Sequence, residues 1–134
     1  MTAVAELNLH SKVETLLEEV KAMPQVECPE NHYFGPGLYI KEVTLPAGSV
    51  IIGKPHKVAH MCVLLQGKMI IAKEDGSKVE LVAPMTFVSP PGRKVAYIIE
   101  TVVFQNIFAT EETDVEKLEN MFVDNTQPLL EEGK

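Results

Sequence analysis

The chain has 134 residues, 46% of them hydrophobic with no tryptophan, and a formal net charge of −7. That length suits one domain with its own core, the acidity argues against general nucleic-acid binding, and apolar runs no longer than MCVLL fall far short of the ~20 residues that cross a bilayer. Cys28 and Cys62 lack metal-motif spacing and the N-terminus lacks a basic-then-apolar leader pattern, which together point to a reduced, cytoplasmic setting.

In chain order, Leu9, Val13, Leu16, Leu17, Val20 and Met23 recur at helical spacing. Ser11 and Glu14 form a capping-box pattern, and Pro24 ends the helix. Such an amphipathic helix has to bury its stripe on the rest of the fold or on a second subunit, so a homodimer is expected. PQVECPENHYFGPG, with three prolines and two glycines, reads as an irregular connection. From Gly37 onward the pattern is of short strands: LYIKEVTL, SVII, MCVLLQ, KMIIAKE, KVELV, MTFVS, KVAYIIE and VVFQNIF. Gly67, the hairpin signal EDGS, the AP and SPPG breaks and a weak break near Thr101 separate the later ones. About eight strands with no helix between them predict an antiparallel sandwich or barrel. TDVEKLENMF then reads as a second helix, with Thr113 and Glu116 as its capping pair and NTQPLLEEGK as a loose tail. The division is therefore 1–36 (helix and connection), 37–109 (barrel) and 110–134 (helix and tail).

The motif-rich stretch is GKPHKVAHMCVLLQG, from Gly53 to Gly67. Its turns resemble the first motif of the cupin family, G-x5-H-x-H-x3,4-E-x6-G, and the PPG at Pro90–Gly92 resembles the P-x-G turn of the second. Counted back from Gly67, His60 stands at the place of the glutamate ligand, His56 at the second histidine and Lys54 at the first. In the second motif Pro84 replaces the opening glycine, Val95 the histidine and Ile99 the asparagine. GKPHK, VAPMTFVSPPG and ATEETDVEKLE are similar to phrases in small cupin-like proteins encoded in bacteriophage genomes. Those proteins carry further histidines where this chain has Val58, Ile99 and Phe108. The resemblance implies a mainly β, cupin-type (double-stranded β-helix or jelly-roll) barrel, with one helix before it and one after it.

On a straight strand His56 and His60 would share a face yet stand about 13 Å apart at ~3.3 Å per residue. One divalent metal held by both needs a bend, which Gly53 and Pro55 allow. Cys62 shares the face of His60, and Gln105 or Asn106 offers a weak oxygen, but Val95 and Ile99 donate nothing. The expectation is a degenerate metal site with no cofactor. An isomerase-type reaction would instead pair His60 with Tyr97. The basic charge sits in the middle of the chain, with 7 Lys or Arg against 3 acids in residues 51–99. Lys54 and Lys57 flank His56, while Arg93 and Lys94 follow the P-x-G turn; the cupin resemblance implies that both segments border one mouth, where these four cations would suit an anionic ligand.

The functional expectation is a non-catalytic phage-type cupin that binds a small, anionic ligand or a host or phage protein. The alternatives are a metal-dependent or isomerase-type cupin enzyme using His56 and His60, and a virion or assembly component. The setting would be the host cytoplasm or the virion.

Overall fold

The computed structural model describes residues 27–53, 55–73 and 75–123. The expected helix over residues 9–23 and the tail beyond residue 123 lie outside them, as does Lys54. The described elements are seven strands, β1 (Glu30–Gly35), β2 (Leu38–Leu45), β3 (Val50–Ile52), β4 (His60–Lys73), β5 (Lys78–Val82), β6 (Met85–Ser89) and β7 (Lys94–Ala109), then one helix, α1 (Val115–Phe122).

All pairings are antiparallel, in the order β1-β2-β7-β4-β5, with β3 also on β7 and β6 also on β4. The long strands β4 and β7 each serve two sheets. The first half of β4 pairs with β6 and its second half with β5, while β7 pairs with β3 near its start and with β2 near its end. Gly67 is where β4 changes partner. The register slips between Leu64 and Met69, and the inward positions change from His60, Cys62 and Leu64 to Met69 and Ile71. Gly67 has φ +95°, and a Cβ there would run into the Thr101 and Glu100 carbonyl oxygens. The two sheets face each other over Val43, Leu45, Leu64, Met69, Leu81, Ile98 and Val102.

The sequence breaks at Gly67 and Thr101 are therefore a bulge and a continuation rather than turns, and four expected strands join into two. The segment read as irregular contains β1. Residues 30–35 pair with residues 38–43 across a Gly35–Pro36–Gly37 turn, with Gly37 at φ +73°. The prolines and glycines flank this strand instead of interrupting it. The α1 cap also differs from expectation. Asp114 stands at the N-cap and its carboxylate accepts from Glu116 N (3.0 Å) and Lys117 N (3.3 Å), because it is one residue nearer the first turn than Thr113.

Candidate functional site

One end of the barrel is closed by residues from four segments. β2 and β7 bring Tyr39 and Phe108 inward, β4 begins with His60, and α1 lays Leu118 and Phe122 over them. The loop between β3 and β4 turns back, as Gly53 and Pro55 allow, so His56 lies beside His60 with ring centroids 4.6 Å apart. The backbone fixes this loop on two sides. Gly92 N donates to His56 O at 3.1 Å, and Lys57 N donates to Phe122 O at 2.8 Å. His56 thus bridges both the P-x-G turn and Val123 after the helix.

Phe108 is the hub of the cluster. Its ring lies 4.3 Å from Phe122, 4.6 Å from His60, 6.0 Å from Tyr39 and 6.2 Å from His56, stacked on each. Offset aromatic stacking of this kind adds to the area that the rings bury. His60, only 6% exposed, meets Asn106 through Nε2···Oδ1 at 2.8 Å. Asn106 turns its amide nitrogen to Lys41 O (3.4 Å), and Cys62 Sγ lies 3.6 Å from the same Oδ1. The amide oxygen is thus the acceptor and His60 Nε2 the donor, and the other ring nitrogen of His60, Nδ1, is buried.

Burial pushes both imidazoles toward the neutral form. The pKa of His56 falls to about 3 through burial first, then His60, Lys94 and Lys41. That of His60 also falls through burial, against the opposing pull of Asn106 and the Val58 backbone. Burial raises the Cys62 thiol to about 12, only partly offset by Lys94, so it is a buried hydrophobe rather than a thiolate donor.

Beside His56 and Phe108 a cavity of about 30 Å³ opens between the β1–β2 hairpin and α1, lined also by Glu30, His32, Tyr39, Lys41 and Glu119. It has room for about one water and is far below the ~300 Å³ of a typical small-molecule site. Its polar wall is internally paired. Tyr39 Oη lies 2.7 Å from His32 Nδ1, and Glu30 reaches His32 at 3.5 Å and Lys41 at 3.4 Å. Burial, then Glu30 and Glu119, raises Tyr39 to about 12, so the phenol keeps its proton. His32, Tyr39 and Lys41 carry no motif that singles them out in the sequence. The signal was the symmetry of HYF and YIK about the GPG turn, which pairs Phe34 with Tyr39 and His32 with Lys41 once β1 is seen as a strand.

The residues singled out from the sequence are only partly brought together. His56, His60 and Cys62 converge. Tyr97 does not join them: it is 49% exposed and pairs with Ile70, ten positions along β4 from His60. The loop carrying Lys57 and the turn before Arg93 and Lys94 are neighbours, but the side chains serve the protein's own structure. Lys57 Nζ donates to Asn120 O (2.8 Å), Lys94 Nζ to Pro90 O (2.7 Å), and Arg93 is buried.

A divalent metal, which the cupin resemblance implies, needs three or four converging donors. Two imidazoles converge. Beside them stand the Phe108 ring and Asn106, whose oxygen already faces His60 and Cys62. Among the described residues no group of three or more His, Cys, Asp or Glu side chains is placed to hold a metal ion. Among the described residues the donors at this site, two imidazoles and an amide oxygen already engaged by His60, do not make up such a set.

No protein-family model and no curated protein matches the chain. Solved structures do. It is similar to an ectoine synthase from P. lautus (TM-score 0.58, 13% identity, 78% of this chain and 82% of that one). It is also similar to KdgF from Halomonas sp. (TM-score 0.53, 19% identity, 69% and 90%). A third is a cupin superfamily protein from Desulfitobacterium hafniense (TM-score 0.52, 13% identity, 65% and 81%). Identities this low speak for the fold alone, and that fold is the cupin-type jelly-roll barrel expected from the turn framework.

Proposed function

Taking the cupin-type fold as given, we propose that this chain is a non-catalytic binding protein of the small bacteriophage-encoded kind. Its barrel holds a recognition surface for a small ligand or for a host or phage protein. The observation that supports this is Phe108, whose ring packs against both histidines and Phe122 beneath α1, so the interior end is packed rather than open. One fold hosts unrelated activities, and the ectoine synthase among the similar structures does not transfer its chemistry to a site with different residues.

The test is elemental analysis of full-length protein purified without a polyhistidine tag, together with a thermal-shift screen of small anions and a pull-down from host lysate. The reading expects no stoichiometric metal and a specific ligand or partner. About one metal per chain, lost in both His56→Ala and His60→Ala, would overturn it in favour of a metal-dependent cupin.

A further inference from the structure

Four strands lie at the rims of the two sheets, and they are not equally guarded. Short length and exposed charge are the usual means of keeping a rim from pairing with another chain. β3 is three residues long, and β5 carries Lys78 and Glu80, with Lys68 Nζ 3.7 Å from the Glu80 carboxylate. β6 has five residues, closed off by Pro84 and Pro90. β1, ENHYFG, is the longest of the four with six residues. It has no lysine, no proline and no bulge, and its register against β2 is unbroken from Glu30 to Gly35. Five of the six residues are exposed, Tyr33 at 48% and Phe34 at 43%, and no described strand pairs with the outer side of β1.

Two bonds fix which main-chain groups of β1 face outward. Thr44 N donates to Pro29 O at 3.0 Å, and Thr110 N donates to Gly37 O at 3.0 Å. Opposed residues of an antiparallel pair alternate between exchanging hydrogen bonds and turning those groups away. By that alternation the even-numbered residues of β2 bond to β1 and the odd-numbered ones to β7. The β1 partners of the even-numbered residues are Asn31, Tyr33 and Gly35. The N–H and C=O groups of Glu30, His32 and Phe34 therefore point away from the sheet.

We propose that this edge pairs with the same edge of a second copy, antiparallel about a two-fold axis through His32. Centred there, His32 stands opposite His32 of the second copy, and Glu30 of each copy stands opposite Phe34 of the other. Every outward N–H and C=O of both strands is then bonded. A shift by two residues places Phe34 opposite Cys28 or Glu30 opposite Pro36, both outside the strand, and a shift by one brings the wrong faces together. The strand is thus complementary to itself in one register. Charge fits a second copy as well. The two Glu30 residues stand four positions apart along the paired strands, about 14 Å at ~3.4 Å per residue, beyond the ~8 Å over which charges are felt at physiological salt. The pairing joins two five-strand sheets into one and sets the two cavities lined by Glu30, His32 and Tyr39 side by side.

The test follows the full chain by sedimentation velocity and by amide exchange across a concentration series. An edge of six residues falls at the small end of specific interfaces, below about 1,200 Å² of buried surface, so the dimer should grow with concentration. As the mass doubles, the amides of Glu30, His32 and Phe34 should gain protection. Those of Asn31, Tyr33 and Gly35, bonded to β2 in either state, should not change. A chain that stays monomeric would overturn the assignment, as would a dimer whose gain falls on β6, elsewhere on the barrel or evenly along β1. His32→Pro removes an outward N–H without touching the pairing to β2, so it should abolish the dimer while the Tyr33 amide stays protected. Phe34→Pro gives the same readout if the first variant folds poorly. A dimer that survives either proline with the hairpin intact would overturn the proposal.

Discussion

His56 and His60 are held neutral by what surrounds them, and this gives the protein a defined acid sensitivity. Unfolded histidines titrate near about 6.5, whereas folded His56 titrates at about 3 and His60 is also depressed. The burial of His56 therefore contributes stability that is complete above about pH 6.5 and is lost as pH falls toward about 3, by up to ~1.4 kcal/mol per pH unit, and His60 acts in the same direction. Denaturant midpoints between about pH 7 and pH 4 should fall accordingly, and His56→Gln should flatten the slope by about one proton's worth. An unchanged slope would show that His56 is not buried neutral. Phe108→Ala removes the ring on which four others stack and should cost about 3–5 kcal/mol of unfolding free energy, read by chemical denaturation. Asn106→Leu strips His60 Nε2 of its acceptor and should cost about 1–3 kcal/mol. Cys62, buried with its thiol raised to about 12, should react with a thiol reagent only after unfolding.

The helix α1 is short and depends on its ends. Asp114 caps the first turn, and Lys57 reaches the last carbonyls through Nζ to Asn120 O and its backbone N–H to Phe122 O. Asp114→Ala should destabilise the fold by about 0.5–2 kcal/mol, with the loss concentrated in amide exchange over residues 115–122. Uniform loss across the barrel would instead mean that α1 never opens separately. Strand content was legible in the sequence because inward and outward residues alternate with period two, as in LYIKEVTL. Two features resisted that reading. β1 hides among prolines and glycines that only flank it, and Gly67 resembles a turn although it is a bulge inside one long strand. At the site, the GKPHKVAH spacing singled out His56 and His60. Phe122 and the Glu30–His32–Tyr39 wall could not be read, because they reach the site only through the helix docking and the β1–β2 pairing.

Taken whole, the barrel is tied together by β4 and β7, each of which belongs to both sheets, so neither sheet can open alone. Leu64→Ala, in the shared core, should lower protection against exchange in both sheets together and leave one unfolding transition. It should cost about 2–5 kcal/mol. Two separate transitions would show that the sheets unfold independently. The loop through His56 adds a further consequence. Its path is set by bonds from Gly92 and to Phe122, and those bonds use only main-chain atoms. The side chain at 56 can be exchanged without moving the loop that presents it, and the same holds at 60, 106 and 108, whose positions are set by strand pairing. This end of the barrel is a socket with interchangeable fittings: a lineage, or a protein engineer, can change the side chains it presents while the main-chain frame stays put.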